Sequence, residues 1–283
     1  MNNIDFSIII AHYCTDRLSP HYDSFLKTLN TIKNQSLNNQ KIEIIIGDDG
    51  SNYSKSIMDN CSNEIQIKND PRKLFLLDNK KLKKWLNTLD IKNDLITKWL
   101  YIPKLNPCMS KSRLWNFASE YSQSENLFFL DDDNYFISNN SIEGINDLFQ
   151  EYDIIFGQIK DSSNKLRTYS SNRVQGTTFG IKKEILKSIG GFGVWTEKTS
   201  CGIDSDLWIK LFNHHKEHKM NVCYTNRVQT YDSCSKRWKK YTKIFKDYTV
   251  RKEFMRLYGI KNYKSVKHNP SRDKNLWIKN LIN

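Results

Sequence analysis

Three aspartates stand in a row at Asp131-Asp132-Asp133, directly after the apolar run Phe128-Phe129-Leu130. Adjacent carboxylates repel one another and resist burial, so a cation is their natural compensator. On an extended chain Asp131 and Asp133 share one side while Asp132 faces the other. The first and third could then hold a hard ion, Mn or Mg, through oxygen. A solvated acidic turn or a helix cap is the plain alternative. A second acidic turn, Asp48-Asp49-Gly50-Ser51, follows the β-branched run Ile42 to Ile46. Gly50 and Ser51 suit an ordinary turn and cap, but a carboxylate there could also accept a hydrogen bond from a nucleotide base. The third element is Gly190-Gly191-Phe192, followed by Cys201-Gly202-Ile203-Asp204-Ser205-Asp206-Leu207. Asp206 lies at the start of an apolar-periodic segment (Leu207, Leu211, Phe212) and fits a dipole partner or cap. Asp204 could instead stand in a cleft and act as a general base.

For these groups to cooperate, the chain must carry them to one place. Phe6 to Ala11 and Ile42 to Ile46 are continuous apolar runs, separated by Tyr22 to Gln35 with apolar residues at Phe25, Leu29 and Ile32. That pattern predicts strand, helix, strand. Phe128 to Leu130 and Tyr152 to Gln158 continue the alternation, so the expected class is α/β with a mostly parallel sheet flanked by helices. Sheets of this kind place their chemistry beyond the C-terminal ends of the strands, where both acidic turns fall.

The three elements, in this order on this strand pattern, resemble glycosyltransferase family two over about residues 5 to 235. The resemblance implies a GT-A type, Rossmann-like fold with a mixed, mostly parallel sheet. It also implies an inverting enzyme that uses a nucleotide sugar, a UDP-sugar being the expected donor. Ser7-Ile8-Ile9-Ile10-Ala11-His12-Tyr13 is similar to the family's opening strand, which usually ends in Pro-Thr-Tyr-Asn; Ala11, His12 and Cys14 depart from it. By that similarity Ala11, Tyr13, Asp48 and Asp49 bind the donor, with Asp49 on the base. Asp131 and Asp133 resemble the metal-binding Asp-x-Asp pair, and Asp132 would contact the sugar or ribose. Ser112-Arg113-Leu114-Trp115-Asn116 occupies the place of the family's Ser-x-Ala-Arg-Asn, so Asn116 is carried over. Trp115 stands where Arg is usual, and Arg113 is the candidate for a phosphate contact, an Arg on a solvated helix face being the equal alternative. Gly202 to Leu207 resembles Gly-Glu-Asp-x-Asp-Leu, which gives Asp204 the role of catalytic base although Ile203 replaces the Glu. A further metal ligand, expected from a strand after the catalytic-base helix, is assigned to Asp232. Trp195 is a candidate for stacking on a sugar, or for the core.

With 283 residues, 38% of them hydrophobic, the chain can bury one large core or two modest ones. Its formal charge of +13 points to phosphates, nucleic acid or an anionic membrane. Nearly all of that excess lies in residues 236 to 283, where Trp238, Tyr241, Phe245 and Tyr248 recur at roughly helical spacing among the lysines. The expected organisation is a catalytic domain over 1–235 and a basic, aromatic, helical extension over 236–283. That extension suits an anionic membrane surface or a lipid-linked acceptor. A nucleic-acid-binding alternative leaves the acidic clusters unexplained, and a GT-A fold that binds without turnover is the third reading. The span from Asp49 to Asn116 is longer than the family needs. Its surplus, about 73–103, is expected to be a helical excursion packed over the body, or else an acceptor-shaping or membrane-facing insertion. His214, His215 and His218 share a helical face, but no Glu or Cys completes a zinc signature. Six cysteines without a Cys-x-x-Cys pair, no membrane-length apolar run and no basic-then-apolar leader give the expectation of a cytoplasmic protein, attached at most peripherally to the membrane's cytoplasmic face. The acceptor is expected to be a glycan or a lipid-linked sugar.

Overall fold

Side-chain alternation along the central strands decides the architecture. In a computed structural model, which describes residues 4–105, 108–166, 176–233, 240–260 and 277–282, Ile9, Ile45, Leu127 and Phe129 point into one core. Ile8, Ile10, Ile44, Ile46, Phe128 and Leu130 point into another. Successive residues of a strand face opposite sides, so continuous apolar runs demand helices on both faces, and both are covered.

In chain order the first half comprises β1 (Phe6–His12), α1 (Pro20–Lys33), β2 (Ile42–Asp48), α2 (Ile57–Asn60), β3 (Asn63–Gln66), β4 (Lys73–Asp78), α3 (Asn79–Thr88), β5 (Ile96–Tyr101) and α4 (Lys111–Tyr121). The second half begins with β6 (Asn126–Asp131), β7 (Asn134–Phe136), α5 (Ser141–Glu151), β8 (Ile154–Lys160), β9 (Phe179–Lys182) and α6 (Lys183–Ser188). It ends with α7 (Thr196–Thr199), α8 (Ile203–His218), β10 (Val222–Asp232), α9 (Lys240–Tyr258) and β11 (Lys279–Asn280). The sheet runs β11-β10-β8-β9-β6-β1-β2-β5-β4-β3, with β7 paired to β10. Its centre, β6-β1-β2-β5, is parallel, and β9 runs antiparallel between β6 and β8. This is the α/β, GT-A type architecture expected, Rossmann-like, with helices on both faces.

Helix α1 begins where its sequence dictates. Ser19 accepts a hydrogen bond from the Tyr22 N–H, and Pro20 opens the first turn. Phe25, Leu29 and Ile32 then form the buried stripe. On the same face lie α3 through Leu82 and Leu86 and α5 through Ile142, Ile145 and Phe149. The opposite face is covered by α4 and α8, with Val250 and Phe254 of α9 in the same core.

Residues 73–103 differ from the helical excursion expected. Strand β5 pairs parallel with β2, β4 runs antiparallel to β5, and β3 to β4, so the segment extends the sheet. Only α3 is helical, and its inner face is packed while Lys80, Lys81, Lys83 and Lys84 are exposed. The strands were hidden because Leu74 to Leu77 form a short apolar run, which period alone cannot assign. Of the C-terminal aromatics, Trp238 and the side chains of Tyr241 and Phe245 lie outside the described residues. No helix among the described residues is long and apolar enough to cross a membrane.

Candidate active site

Parallel register aligns the acidic turns. His12 is opposite Asp48 in β2, and Ala11 is opposite Asp131 in β6. The residues that follow β1, β2 and β6 therefore emerge along one edge of the sheet, as the C-terminal ends of parallel strands must.

At the β2 end the two aspartates divide. Asp48 is fully buried, its carboxylate accepting from the Ser51 N–H at 2.7 Å and the Trp99 indole N–H at 3.2 Å. One oxygen of Asp48, expected at the donor, is thus spent on its own turn and the other on Trp99 of β5. Asp49 meets the Lys104 ammonium through Oδ2, while Oδ1 is buried without a hydrogen bond. Burial raises the Asp49 carboxyl above its usual pKa, opposed by Lys104 and then by Ser110. Gly50 at φ +76° lets this happen, since a Cβ there would lie 2.2 Å from the Lys104 backbone nitrogen. Tyr13 flanks the pair, with Lys104 Nζ 4.1 Å from its ring centre.

At the β6 end the premise of an extended chain fails. Strand β6 stops at Asp131 and the chain turns through Asp132 and Asp133 into β7. The carboxylate and imidazole atoms that cluster are those of His21, Asp132 and Asp133, all within 4.8 Å. Asp132, expected at the sugar or ribose, is instead buried. Its Oδ2 accepts from His12 Nδ1 at 2.8 Å, His21 Nε2 at 2.9 Å and the Tyr13 N–H at 3.2 Å. Burial alone would raise this carboxyl, but the two imidazoles outweigh it and hold it well below the usual carboxylate range. Tyr53 closes the chain by meeting His12 Nε2, and the His12 ring stacks on Phe25. Asp132 thus ties the end of β1 to the turn after β6. His12 was visible in the sequence only as a departure, and His21 not at all, because its partner lies 111 residues away.

Asp131 is less buried. Its backbone N–H donates to Thr177 Oγ1 and its carboxylate meets the Lys111 ammonium. Asp232, paired with Asn134 across β7 and β10, stands beside Asp133, whose carbonyl accepts from the Ser233 N–H. Asp131, Asp133 and Asp232 carry the hard oxygen that Mn or Mg takes, but among the described residues the ligand atoms that come within 4.8 Å of one another are those of His21, Asp132 and Asp133, so of the three expected ligands the cluster contains Asp133 alone.

Helix α8 separates its two acids. Asp206 accepts from the Gly193 N–H, the Trp195 indole N–H and Tyr258, and pairs with Lys210. It fixes the loop before α8 and holds the half-buried Trp195 edge-on to Phe254. Asp204 is half-buried, and among the described residues no side-chain or backbone donor reaches its carboxylate. Gly176 passes so close that a Cβ would sit 2.0 Å from Asp204 Oδ1. Lys111 Nζ donates to the Gly176 carbonyl at 3.3 Å, which links Asp204 to Asp131.

Two expected donor contacts turn out to be engaged elsewhere. Arg113 forks onto Glu197 at 3.0 and 3.1 Å, within the cluster that also holds Asp70 and Arg72. Asn116 exchanges paired hydrogen bonds with the Phe192 backbone, pinning the glycine turn. Arg113 Nε and Nη2 and the Asn116 amide are thus spent on the loop before α8 rather than turned toward the acidic turns.

A sheet of this order, with acidic turns at the ends of its parallel strands, is a GT-A type, Rossmann-like architecture. No protein-family model matches the chain, and no curated protein does. Solved structures do match in fold. The chain is similar to residues 1–349 of S. aureus TarS in complex with UDP-GlcNAc, at 13% identity and TM-score 0.52, covering 96% of this chain and 72% of that one. It spans 43% of the longer TarS chain. It is also similar to the mannosyltransferase PcManGT from Pyrobaculum calidifontis in complex with GDP-Man and Mn2+, at 14% identity and TM-score 0.56, covering 94% and 69%.

Proposed function

We propose that this chain is a nucleotide-sugar glycosyltransferase that moves a sugar from a UDP-sugar to a hydroxyl of a glycan or lipid-linked acceptor, inverting the anomeric carbon. The observation that carries this reading is the linked set on one sheet edge: Tyr13 and Asp49 at one end, Asp131 in the middle, and Asp204 joined to it through Lys111 and Gly176. Asp49, beside Tyr13 at the base end, is the carboxylate that would accept from a nucleobase N–H. The neighbours in complex with UDP-GlcNAc and with GDP-Man and Mn2+ support a nucleotide-sugar donor.

A divalent cation at Asp133, the expected ligand that clusters with His21 and Asp132, would neutralise charge on the departing diphosphate. Asp132, locked between His12, His21 and Tyr13, sets the spacing between the base end and the phosphate end. Asp204 takes the proton of the acceptor hydroxyl as its oxygen bonds to the anomeric carbon. The bond from that carbon to the diphosphate oxygen breaks, and its electron pair leaves with UDP. Attack opposite the leaving group inverts the centre in one displacement.

The test is calorimetric titration of UDP, with GDP as control, with and without Mn, on wild type and on Asp131→Asn with Asp133→Asn. Metal-enhanced UDP binding that the double variant loses is the expected result. No nucleotide binding by wild type under any metal condition would remove the transferase reading.

A further inference from the structure

We infer that Lys111 is the side chain that brings positive charge to the donor's diphosphate, an inference that rests on the donor reading above. Lys111 is the first residue of α4, a helix with no acid in its first turn and no side-chain bond from its cap residue Ser110. A lysine at a helix N-terminus opposes the macrodipole at a cost of up to about 1 kcal/mol, which an anion in front of it offsets. In the structure that anion is Asp131.

The surroundings of the ammonium are built for it. Nζ lies 4.1 Å from the ring centre of Trp115, which is fully buried and so holds the lysine over a fixed apolar face. Nζ also donates to the Gly176 carbonyl at 3.3 Å, and Gly176 rests against the Asp204 carboxylate. Lys111 therefore sits between the acidic turn after β6 and the base, the interval that the diphosphate and the anomeric carbon must occupy. Around that interval stand the carboxylates of Asp131, Asp133 and Asp204, which would repel an arriving diphosphate. The second lysine at this edge, Lys104, is committed to Asp49 and the Tyr13 ring at the base end. Among the described residues, Lys111 is the lysine that reaches the phosphate end. When the donor binds, its ammonium exchanges part of its contact with Asp131 for the diphosphate oxygens, and no proton needs to move.

The test compares UDP with uridine by calorimetry on wild type, Lys111→Gln and Lys111→Arg, in EDTA and with Mn. A charge-assisted hydrogen bond to phosphate predicts that Lys111→Gln lowers UDP affinity in EDTA by about tenfold to a hundredfold. Uridine affinity stays unchanged, and Lys111→Arg keeps most of the UDP binding. If Lys111→Gln binds UDP as wild type does, the assignment of Lys111 is overturned while the donor reading stands. If Lys111→Gln loses uridine and UDP alike, Lys111 merely props the site and the assignment is overturned again. If wild type binds neither ligand, both readings fall.

Discussion

Asp204 and Asp206 are two positions apart on α8, yet their surroundings divide them. Asp206 is saturated by Gly193, Trp195, Tyr258 and Lys210, whereas no described donor reaches Asp204. A carboxylate with open lone pairs beside a proposed donor site can accept a proton; a saturated one cannot. Asp204→Asn is therefore expected to lower transfer by about a hundredfold to ten-thousandfold while leaving UDP affinity intact, measured by product formation beside calorimetry. Equal loss of UDP binding would deny Asp204 the role of base. Gly176 gives a second test at the same point. Gly176→Ala introduces a Cβ 2.0 Å from Asp204 Oδ1, so the carboxylate must shift. Transfer should fall with melting temperature and UDP affinity little changed; an unaltered rate would show that Asp204 does not need this position.

The element scale shows why the sequence was readable in part. Strands β1, β2 and β6 and helix α1 announce themselves by continuous apolar runs and the stripe Phe25, Leu29 and Ile32, and both acidic turns fall where β2 and β6 end. Asp49 is placed at the base by resemblance alone, and the residues' own pattern does not tell which aspartate of each turn faces the site. Asp48 turns inward to Trp99 and Asp49 outward to Lys104, a choice made by a contact 51 residues away in one case and 55 in the other. Lys111, His21 and Glu197 carried no local signal for the same reason. Glu43 is another such residue, a charge near the start of β2 with no exposure at all. Burial alone would raise its carboxyl pKa. The Gln123 N–H, the Ser7 hydroxyl, Lys98 and Thr97 overcome that and hold it below the usual value. A depressed folded pKa stabilises the native state above the unfolded value, and the contribution is lost as pH falls through the folded one. Glu43→Gln should therefore cost about 2 kcal/mol near neutral pH, with the gap to wild type closing below about pH 4.3. Denaturant melts over a pH series measure it, and a gap that stays constant to pH 3 would remove the charge from the explanation.

At the scale of the whole molecule, the described part of the C-terminal segment has two faces. Val250, Phe254 and Tyr258 recur every four residues along α9; the first two are buried in the core shared with α4 and α8, and Tyr258 reaches Asp206. Trp277 and Ile278 join that core, and β11 pairs with β10. Phe254→Ala should accordingly destabilise the chain by about 3 kcal/mol, read from chemical denaturation; a cost under about 0.5 kcal/mol, the usual range for surface sites, would detach α9 from the core. The other face carries Arg251, Lys252 and Arg256 beside exposed Tyr248, Met255 and Leu257. Basic residues interleaved with apolar ones suit an anionic bilayer surface, so peripheral attachment on the cytoplasmic face is proposed for this side of the helix. Deleting residues 236 to 283 would not test it, because the deletion also strips the core. Replacing Arg251, Lys252 and Arg256 by Gln leaves the buried stripe in place and removes charge alone. Flotation with vesicles containing phosphatidylserine should drop for the triple variant and fall further with salt for wild type, since exposed charges are screened over about 10 Å at 0.1 M. Flotation unchanged by the substitutions would leave α9 as a core helix whose charges serve only solvation.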